Sequence, residues 1–208
     1  TAAFKRIVME LPQVGFLTGH GERDIKKEGD RDYNMFTWEK PFRHSLINQG
    51  FEVKEVTLDE EIPTAVQILV IAEMRRNLSE TEKFNLDTYI ARGGNLLILT
   101  EPKRLEYMNP LLNKFGVNQI QGTLVHPSEG HAPDLLSFSP TKDACELIYP
   151  FAEMVNKNKV IVTPGVAGLN YQSVKEYKVT PLFTTDSLVW NEIETTNFED
   201  DSVTFNPK

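Results

Sequence analysis

The chain has 208 residues, of which 40% are hydrophobic and 25% are charged, and its formal net charge is −8 at pH 7. This composition is typical of a folded domain and excludes extensive disorder. The acidic excess argues against nucleic acid as a partner, because phosphate binding needs a basic surface. The longest apolar runs fall far short of the roughly 18 residues of a membrane-spanning helix, and the single cysteine excludes a disulfide framework.

The first half of the chain alternates between strand and helix patterns. Nearly continuous apolar runs at Val14–Thr18, Ile68–Ala72 and Asn95–Thr100 predict neighbouring parallel strands at the centre of one sheet, covered on both faces. The alternating segment Phe51–Val56 predicts a half-buried strand nearer the sheet edge.

Apolar residues at a spacing of four predict a helix between the first two strands. Trp38, Phe42 and Leu46 would share one face of this helix, with Pro41 in its first turn. Gly50 is expected to end it as a left-handed cap.

A second helix is predicted by the spacing of Ser79 and Glu82, which is that of a capping box. Gly93 and Gly94 are expected to stop this helix. The residues expected on its buried side are Phe84, Leu86, Tyr89 and Ile90.

The second half of the chain has weaker patterns. Asn109 and Pro110 predict the start of a short helix that ends near Gly116. Residues 122–158 are rich in Pro, Ser and His, which predicts loops with a short helix around Glu146–Val155. Further strands are expected at Val160–Val162, Tyr177–Phe183 and Ser202–Phe205.

Together these elements predict a doubly wound α/β fold with a mostly parallel sheet, because strands alternate with helices at the spacing of β-α-β units. The length is that of a single soluble domain over residues 1–208, with a core over 12–190 and an acidic tail over 191–208.

Candidate binding residues follow three of the predicted strands, since ligands of open parallel sheets bind at the carboxyl ends of the strands. These residues are His20, Glu22, Glu73, Arg75, Glu101 and Lys103. Two interpretations remain open: they form a site for a polar ligand or partner, or they pair with one another along the sheet rim. In the second case His20 and Glu22 would tie down the polar segment Arg23–Tyr33.

No catalytic, cofactor or metal site is predicted. The segment Gly19–Glu22 is neither a dinucleotide fingerprint nor a P-loop, and a Gly-x-Ser-x-Gly elbow is absent from the sequence. Cys145 lies away from the strand ends, so we expect a small core residue that function does not need. His126, Glu129 and His131 offer too few supported ligands for zinc.

Several segments in chain order resemble one protein family. These segments are Val14–Glu22, Asn48–Val53, Ile68–Ala72, Leu78–Glu82, Tyr89–Leu97 and Pro181–Thr185, with Ser187 and Trp190 after the last. In them the chain resembles the auxiliary component of ABC-type transport systems linked to gliding motility.

The resemblance implies a fold like that of flavodoxins and class I glutamine amidotransferases, with a related domain in intraflagellar transport proteins. It also implies an extracytoplasmic domain, periplasmic in bacteria, tethered by membrane helices outside residues 1–208. The chain begins at Thr1 without methionine, which likewise predicts a segment of a longer polypeptide. The family has no established catalytic residues, and Thr100 and Glu101 stand where an amidotransferase nucleophile would fall.

The resemblance therefore implies a non-catalytic, extracytoplasmic accessory domain that acts by protein or ligand binding. Its expected partners are the permease and ATPase subunits of an ABC transporter or other proteins of a membrane complex. One alternative is a small-molecule module, for example for a saccharide, that uses the strand-end loops with Tyr33, Trp38 or Trp190. A second alternative is a hydrolase on an amidotransferase-like fold.

Overall fold

A computed structural model describes residues 7–29, 32–127, 131–172, 174–194 and 197–198 of the chain. The chain divides into two compact units, Thr1–Thr100 and Glu101–Lys208. The strand predicted at Ser202–Phe205 lies outside the described residues.

Within the described part of the first unit, four parallel strands form a sheet in the order β2–β1–β3–β4. They are β1 (Gln13–Leu17), β2 (Glu52–Val56), β3 (Val66–Ala72) and β4 (Asn95–Leu99). The predicted parallel strands are therefore confirmed, as is the position of β2 at an edge. From β1 the chain passes to β2 on one side and to β3 on the other, so the order reverses between β1 and β3.

The core of this sheet is built from β1 and β3, whose apolar side chains are almost all buried. The prediction that β4 is also central is wrong, because β4 lies at the end of the sheet formed by the described strands. Its Leu97 and Leu99 side chains are partly exposed. A run of leucines has the same sequence pattern in a central strand and in a strand whose second face is open to solvent.

The described helices of the first unit include two short ones and one long one. They are α1 (Asn34–Thr37), α2 (Leu46–Gln49) and α3 (Glu80–Ala91). The single helix predicted through Trp38, Phe42 and Leu46 is wrong, since the chain leaves the helical conformation between α1 and α2. Pro41 explains the break, because it lacks an N–H and disfavours the helical conformation of the residue before it. Gly50 does cap α2, with a φ of 90°.

Helix α3 begins with the predicted capping box, in which Ser79 and Glu82 each bond the other's backbone N–H. Its buried stripe is Glu82, Asn85, Leu86 and Tyr89, so the prediction that Phe84 is buried is wrong; its exposure is 71%. Asn85 lies on the stripe instead, and its Nδ2 donates to the Leu58 carbonyl at 2.8 Å.

The second unit has antiparallel sheets, which corrects the prediction of a mostly parallel sheet for this part of the chain. Strands pair in the orders β10–β7–β8, β11–β6 and β5–β9. The strands are β5 (Val117–Gln119), β6 (Thr123–Val125), β7 (Leu135–Pro140), β8 (Ile161–Pro164), β9 (Leu169–Tyr171), β10 (Phe183–Thr184) and β11 (Trp190–Glu192).

The helices of the second unit also differ from the expectation. They are α4 (Leu105–Leu112), α5 (Lys142–Leu147) and α6 (Tyr149–Asn156). Pro110 lies inside α4 rather than at its start. Residues 122–158 contain β6, β7 and two helices where loops and one helix were predicted, because short strands rich in Ser, Thr and Pro lack an apolar period. The strand predicted at Val160–Val162 is confirmed, whereas Tyr177–Phe183 reaches strand geometry only at its end.

The glycines at the end of α3 allow the packing around Tyr89 to be tested. Gly93 has a φ of 87° and open space around the position of a Cβ, whereas a Cβ at Gly94 would overlap the ring of Tyr89. That ring is buried, and its hydroxyl donates to the Asn95 carbonyl at 3.0 Å. Gly94→Ala is therefore expected to cost about 2–3 kcal/mol of unfolding free energy through overpacking.

Gly93→Ala is the matched control, with an expected cost of about 1 kcal/mol from the left-handed backbone alone. Urea unfolding followed by circular dichroism measures both. Equal costs, or a larger cost at Gly93, would contradict the packing of Gly94 against Tyr89.

Candidate functional site

Four of the six predicted binding residues meet at the carboxyl edge of the parallel sheet. His20 and Glu22 lie in the loop after β1, and Glu73 and Arg75 lie in the loop after β3. The Arg75 backbone N–H donates to the His20 carbonyl at 2.8 Å, which joins the two loops directly. These two loops therefore flank the point where the strand order reverses.

His20 is the centre of this edge. Its residue exposure is 2%, and each nitrogen of its ring faces a carboxylate. Nδ1 lies 2.9 Å from Glu22 Oε1, and Nε2 lies 2.9 Å from Glu82 Oε1. Glu22 also accepts the His20 backbone N–H at 2.6 Å through its other oxygen, so a single carboxylate holds both the backbone and the ring of His20.

The two contacts restrict the protonation state of the ring. An ionised carboxylate only accepts hydrogen bonds, and a neutral imidazole has a single N–H to donate. Both hydrogen bonds can therefore form together with ionised carboxylates only when the ring of His20 carries two protons. The arrangement places a buried imidazole ring between two acidic side chains.

Glu82 connects this loop to the first turn of α3. Its carboxylate accepts the Ser79 backbone N–H at 2.6 Å and Arg76 Nη2 at 3.1 Å. Burial raises the pKa of the Glu82 carboxyl, but the hydrogen bonds from Ser79 and Arg76 and the charge of His20 outweigh it and lower the pKa to about 2. The α3 cap and the strand-end loop therefore share one ionised carboxylate.

Arg76 completes this connection. Its Nε donates to the Gly19 carbonyl at 2.9 Å while its guanidinium contacts Glu82. About half of the Arg76 side chain stays exposed. The residue consequently bonds the buried network on one side and meets solvent on the other.

A second ion pair surrounds Glu73. Its buried carboxylate accepts Arg23 Nε at 2.9 Å and lies 3.4 Å from Arg75 Nη2. Glu73 has a φ of 58°, a left-handed conformation that is uncommon for a residue other than glycine. Its backbone N–H donates to the Leu99 carbonyl at 2.9 Å, which links the end of β3 to the end of β4.

The ion pair of Glu73 continues into an aromatic contact. The Arg23 guanidinium lies 5.7 Å from the centroid of the Tyr33 ring, and that ring packs against Phe16 of β1. Burial raises the pKa of the Tyr33 hydroxyl. Tyr33, which was a candidate aromatic for saccharide binding, is thus part of the packing that holds the segment from Arg23 to Tyr33 on the sheet.

Glu101 and Lys103, the other two predicted residues, belong to the second unit. Glu101 precedes a 3₁₀ turn at Pro102–Arg104 that contains Lys103. The Glu101 carbonyl accepts Gln119 Nε2 at 2.7 Å, and Gln119 is itself buried.

The side chains of Arg23, Arg76 and Glu82 were not among the predicted site residues. Glu82 was recognised only as the acid of a capping box, a pattern that describes its bonds to the backbone. Its contact with His20 joins residues 62 positions apart, and a local pattern carries no signal for such a contact. Arg76 had a weak signal, because it lies in the same strand-end loop as Arg75.

Among the described residues, no group of histidines, cysteines, aspartates and glutamates has the geometry of a metal site. His126 Nε2 lies 3.4 Å from Asp186 Oδ2, and Glu129 lies outside the described residues.

Cys145 is a free thiol on α5 and is partly exposed. No helix in the described part of the chain is both long and apolar enough to cross a membrane.

A family model described as an ABC-type uncharacterized transport system matches residues 11–207. The chain belongs to this family. Among solved structures, the mmIFT52 N-terminal domain has the same fold, with a TM-score of 0.61 and 17% sequence identity over 87% of this chain and 77% of that chain. Among curated proteins, no sequence matches the chain. The family of transport-system components and the likeness to an intraflagellar transport domain, both predicted from sequence, are therefore confirmed.

The contacts of Glu82 with His20 and Arg76 can be tested directly by mutation. Glu82→Gln removes a charge that His20 and Arg76 both contact, so we expect a loss of about 3 kcal/mol in unfolding free energy, as for breaking a buried ion pair. Glu80→Gln, two residues earlier on the exposed side of the same helix, is the control and is expected to stay within ~0.5 kcal/mol. Similar losses of unfolding free energy for both variants, measured by urea unfolding, would show that the contacts of Glu82 with His20 and Arg76 do not stabilise the protein.

The same carboxylate is expected to contribute to the acid sensitivity of the protein. Its folded pKa of about 2 lies below the ordinary value of 4.5, so its stabilisation is complete above pH 4.5 and is lost as the pH falls toward 2. The wild type should consequently lose more stability over that interval than Glu82→Gln does. Parallel losses would contradict the lowered pKa.

Proposed function

We propose that this chain is a non-catalytic, extracytoplasmic accessory domain that contacts the membrane-embedded permease of its ABC-type transport system. The observation that carries the proposal is the family match over residues 11–207. A link to gliding motility is part of the same proposal and rests on the sequence resemblance.

The paired charges at the strand ends support a binding role over a catalytic one. A general acid or base needs a side chain that can exchange its proton with a substrate. Here the carboxylates of Glu22, Glu73 and Glu82 are buried, and each is hydrogen-bonded to a basic side chain of the same unit: His20, Arg23 and Arg76 respectively. Cys145, the sole thiol in the sequence, lies on α5 rather than at a strand-to-helix turn.

Two arginine side chains reach the surface of this edge, although the chain as a whole is acidic. The side chains of Arg75 and Arg76 are each about half exposed above the buried carboxylates. We propose that His20 and Glu22 brace the loops and that the two guanidinium groups face an anionic partner surface. Arginine suits this role because its planar group bonds carboxylates in a fixed geometry.

The strand order β2–β1–β3–β4 supports a flavodoxin-like, amidotransferase-like fold for the first unit, because order 2-1-3-4 is that of the flavodoxin class. The carboxyl edge beside the order reversal is the usual binding region of such sheets. The proposed partner surface lies in this region, where related sheets bind small ligands.

Chemical crosslinking in intact spheroplasts tests the function and the location together. A membrane-impermeant, amine-reactive crosslinker reaches only extracytoplasmic lysines, and Lys26 and Lys27 have largely exposed side chains. After isolation of the tagged, natively expressed protein, we expect a crosslinked product that contains the ABC permease. A cytoplasmic reporter protein in the same spheroplasts should remain unmodified.

Two results would overturn the proposal in different ways. A permease adduct that forms only after lysis would place the domain on the cytoplasmic side and refute the location. An adduct with neither the permease nor its ATPase, in intact or lysed spheroplasts, would refute the accessory function.

A further inference from the structure

The second unit contains an apolar pocket with a volume of about 600 Å³. This volume lies in the range of small-molecule sites, roughly 300–1,000 Å³. Described strands from different sheets contribute to its wall, namely β5 and β9, β6, and the β7–β10 pair. The larger apolar side chains of the wall are Val117, Ile120, Leu124, Phe138, Leu182 and Phe183.

The wall restricts the chemistry of any occupant. No charged side chain lines the pocket among the residues that the structure describes, and its polar side chains carry hydroxyl groups only. An ion in this environment would lose its hydration without gaining a counter-charge. A saccharide would bury more hydroxyl groups than this wall can bond. The complementary ligand is uncharged and predominantly hydrocarbon.

Backbone hydrogen bonds fix one side of the pocket. The Ile120 N–H donates to the Gly168 carbonyl at 3.0 Å, and the Leu124 N–H donates to the Val166 carbonyl at 2.8 Å. Gly168 packs so closely that an added Cβ would lie 2.6 Å from Ile120 Cδ1. The segment that contains Ile120 and the segment that contains Gly168 are therefore in direct contact.

A second part of the wall, residues 179–185, is held by the N-cap of α5. Thr141 Oγ1 donates to the Pro181 carbonyl at 2.8 Å, and its backbone N–H donates to the Leu182 carbonyl at 2.9 Å. Phe183 then pairs with Pro140 in the β10–β7 ladder and packs edge-on against Phe151. Both parts of the wall are thus fixed by bonds within the second unit, which makes the pocket pre-formed.

We propose that this pocket binds a small, uncharged, predominantly hydrocarbon molecule, with an alkyl chain as the simplest example. An open apolar space leaves wall atoms without van der Waals partners, and a hydrocarbon ligand restores those contacts without the cost of desolvating polar groups. Hydroxyl groups of Thr180, Thr184 and Thr185 can bond a single polar end of the ligand. The inference does not depend on the proposed transport role.

Fluorescence titration with N-phenyl-1-naphthylamine, an uncharged apolar probe, tests the pocket. We expect a saturable increase in fluorescence that 1-dodecanol reverses by competition and that maltose leaves unchanged. An increase without saturation, or displacement by maltose but not by dodecanol, would overturn the proposal.

A matched pair of variants assigns the binding to this pocket. Leu169 lines the pocket and is 56% exposed, whereas Leu188 lies outside it and is 59% exposed. Leu169→Asp places a charge at the pocket wall and is expected to weaken probe binding at least tenfold. Leu188→Asp should change it less than twofold. Equal effects, or no effect of Leu169→Asp, would contradict the assignment.

A second variant keeps the test decisive if Leu169→Asp disturbs folding. Ala167→Phe adds apolar volume at the wall and should reduce the number of bound probe molecules toward zero while circular dichroism shows a native spectrum. Unchanged stoichiometry in folded Ala167→Phe would place the probe elsewhere and refute the proposal.

Discussion

The carboxyl edge of the parallel sheet depends on one buried histidine placed between two carboxylates. His20 contacts Glu22 of its own loop and Glu82 of α3, and Glu82 in turn contacts Arg76 of the loop after β3. Three separate chain segments are thereby fixed by one set of hydrogen-bonded side chains. Removing Glu82 leaves the buried His20 ring without one of its two hydrogen-bond partners and Arg76 without its carboxylate, which costs more than the loss of an exposed ion pair.

This constraint explains how the strand-end loops can be both polar and ordered. Loops at this edge of a sheet ordinarily serve recognition, and their rigidity comes from the elements that carry them. Here the order comes from the loops themselves, because the buried acids bind backbone N–H groups as well as cationic side chains. The half-exposed guanidiniums of Arg75 and Arg76 are consequently held in place without being covered.

Sequence patterns predicted the first unit well because its signals are local. Continuous apolar runs mark β1 and β3, and the capping box marks the start of α3. The patterns failed where structure is decided by distant contacts: β4 lies at the sheet end, Phe84 is exposed, and the short antiparallel strands of the second unit have no apolar period. Within the site, His20 and Glu73 could be predicted because each follows a strand. Their contacts with Glu82 and Arg23 could not, because these join residues about 50 or more positions apart and no local sequence pattern indicates them.

A double-mutant cycle between His20 and Glu82 tests the central claim most directly. Unfolding free energies of wild type, His20→Ala, Glu82→Gln and the double variant give the interaction energy of the pair, with the exposed His44 and Glu80 as a control cycle. A buried, hydrogen-bonded pair predicts a coupling of about 1–3 kcal/mol, against less than ~0.5 kcal/mol for the control. Additive losses at His20 and Glu82 would contradict the account, because they would show that the two side chains stabilise the edge independently.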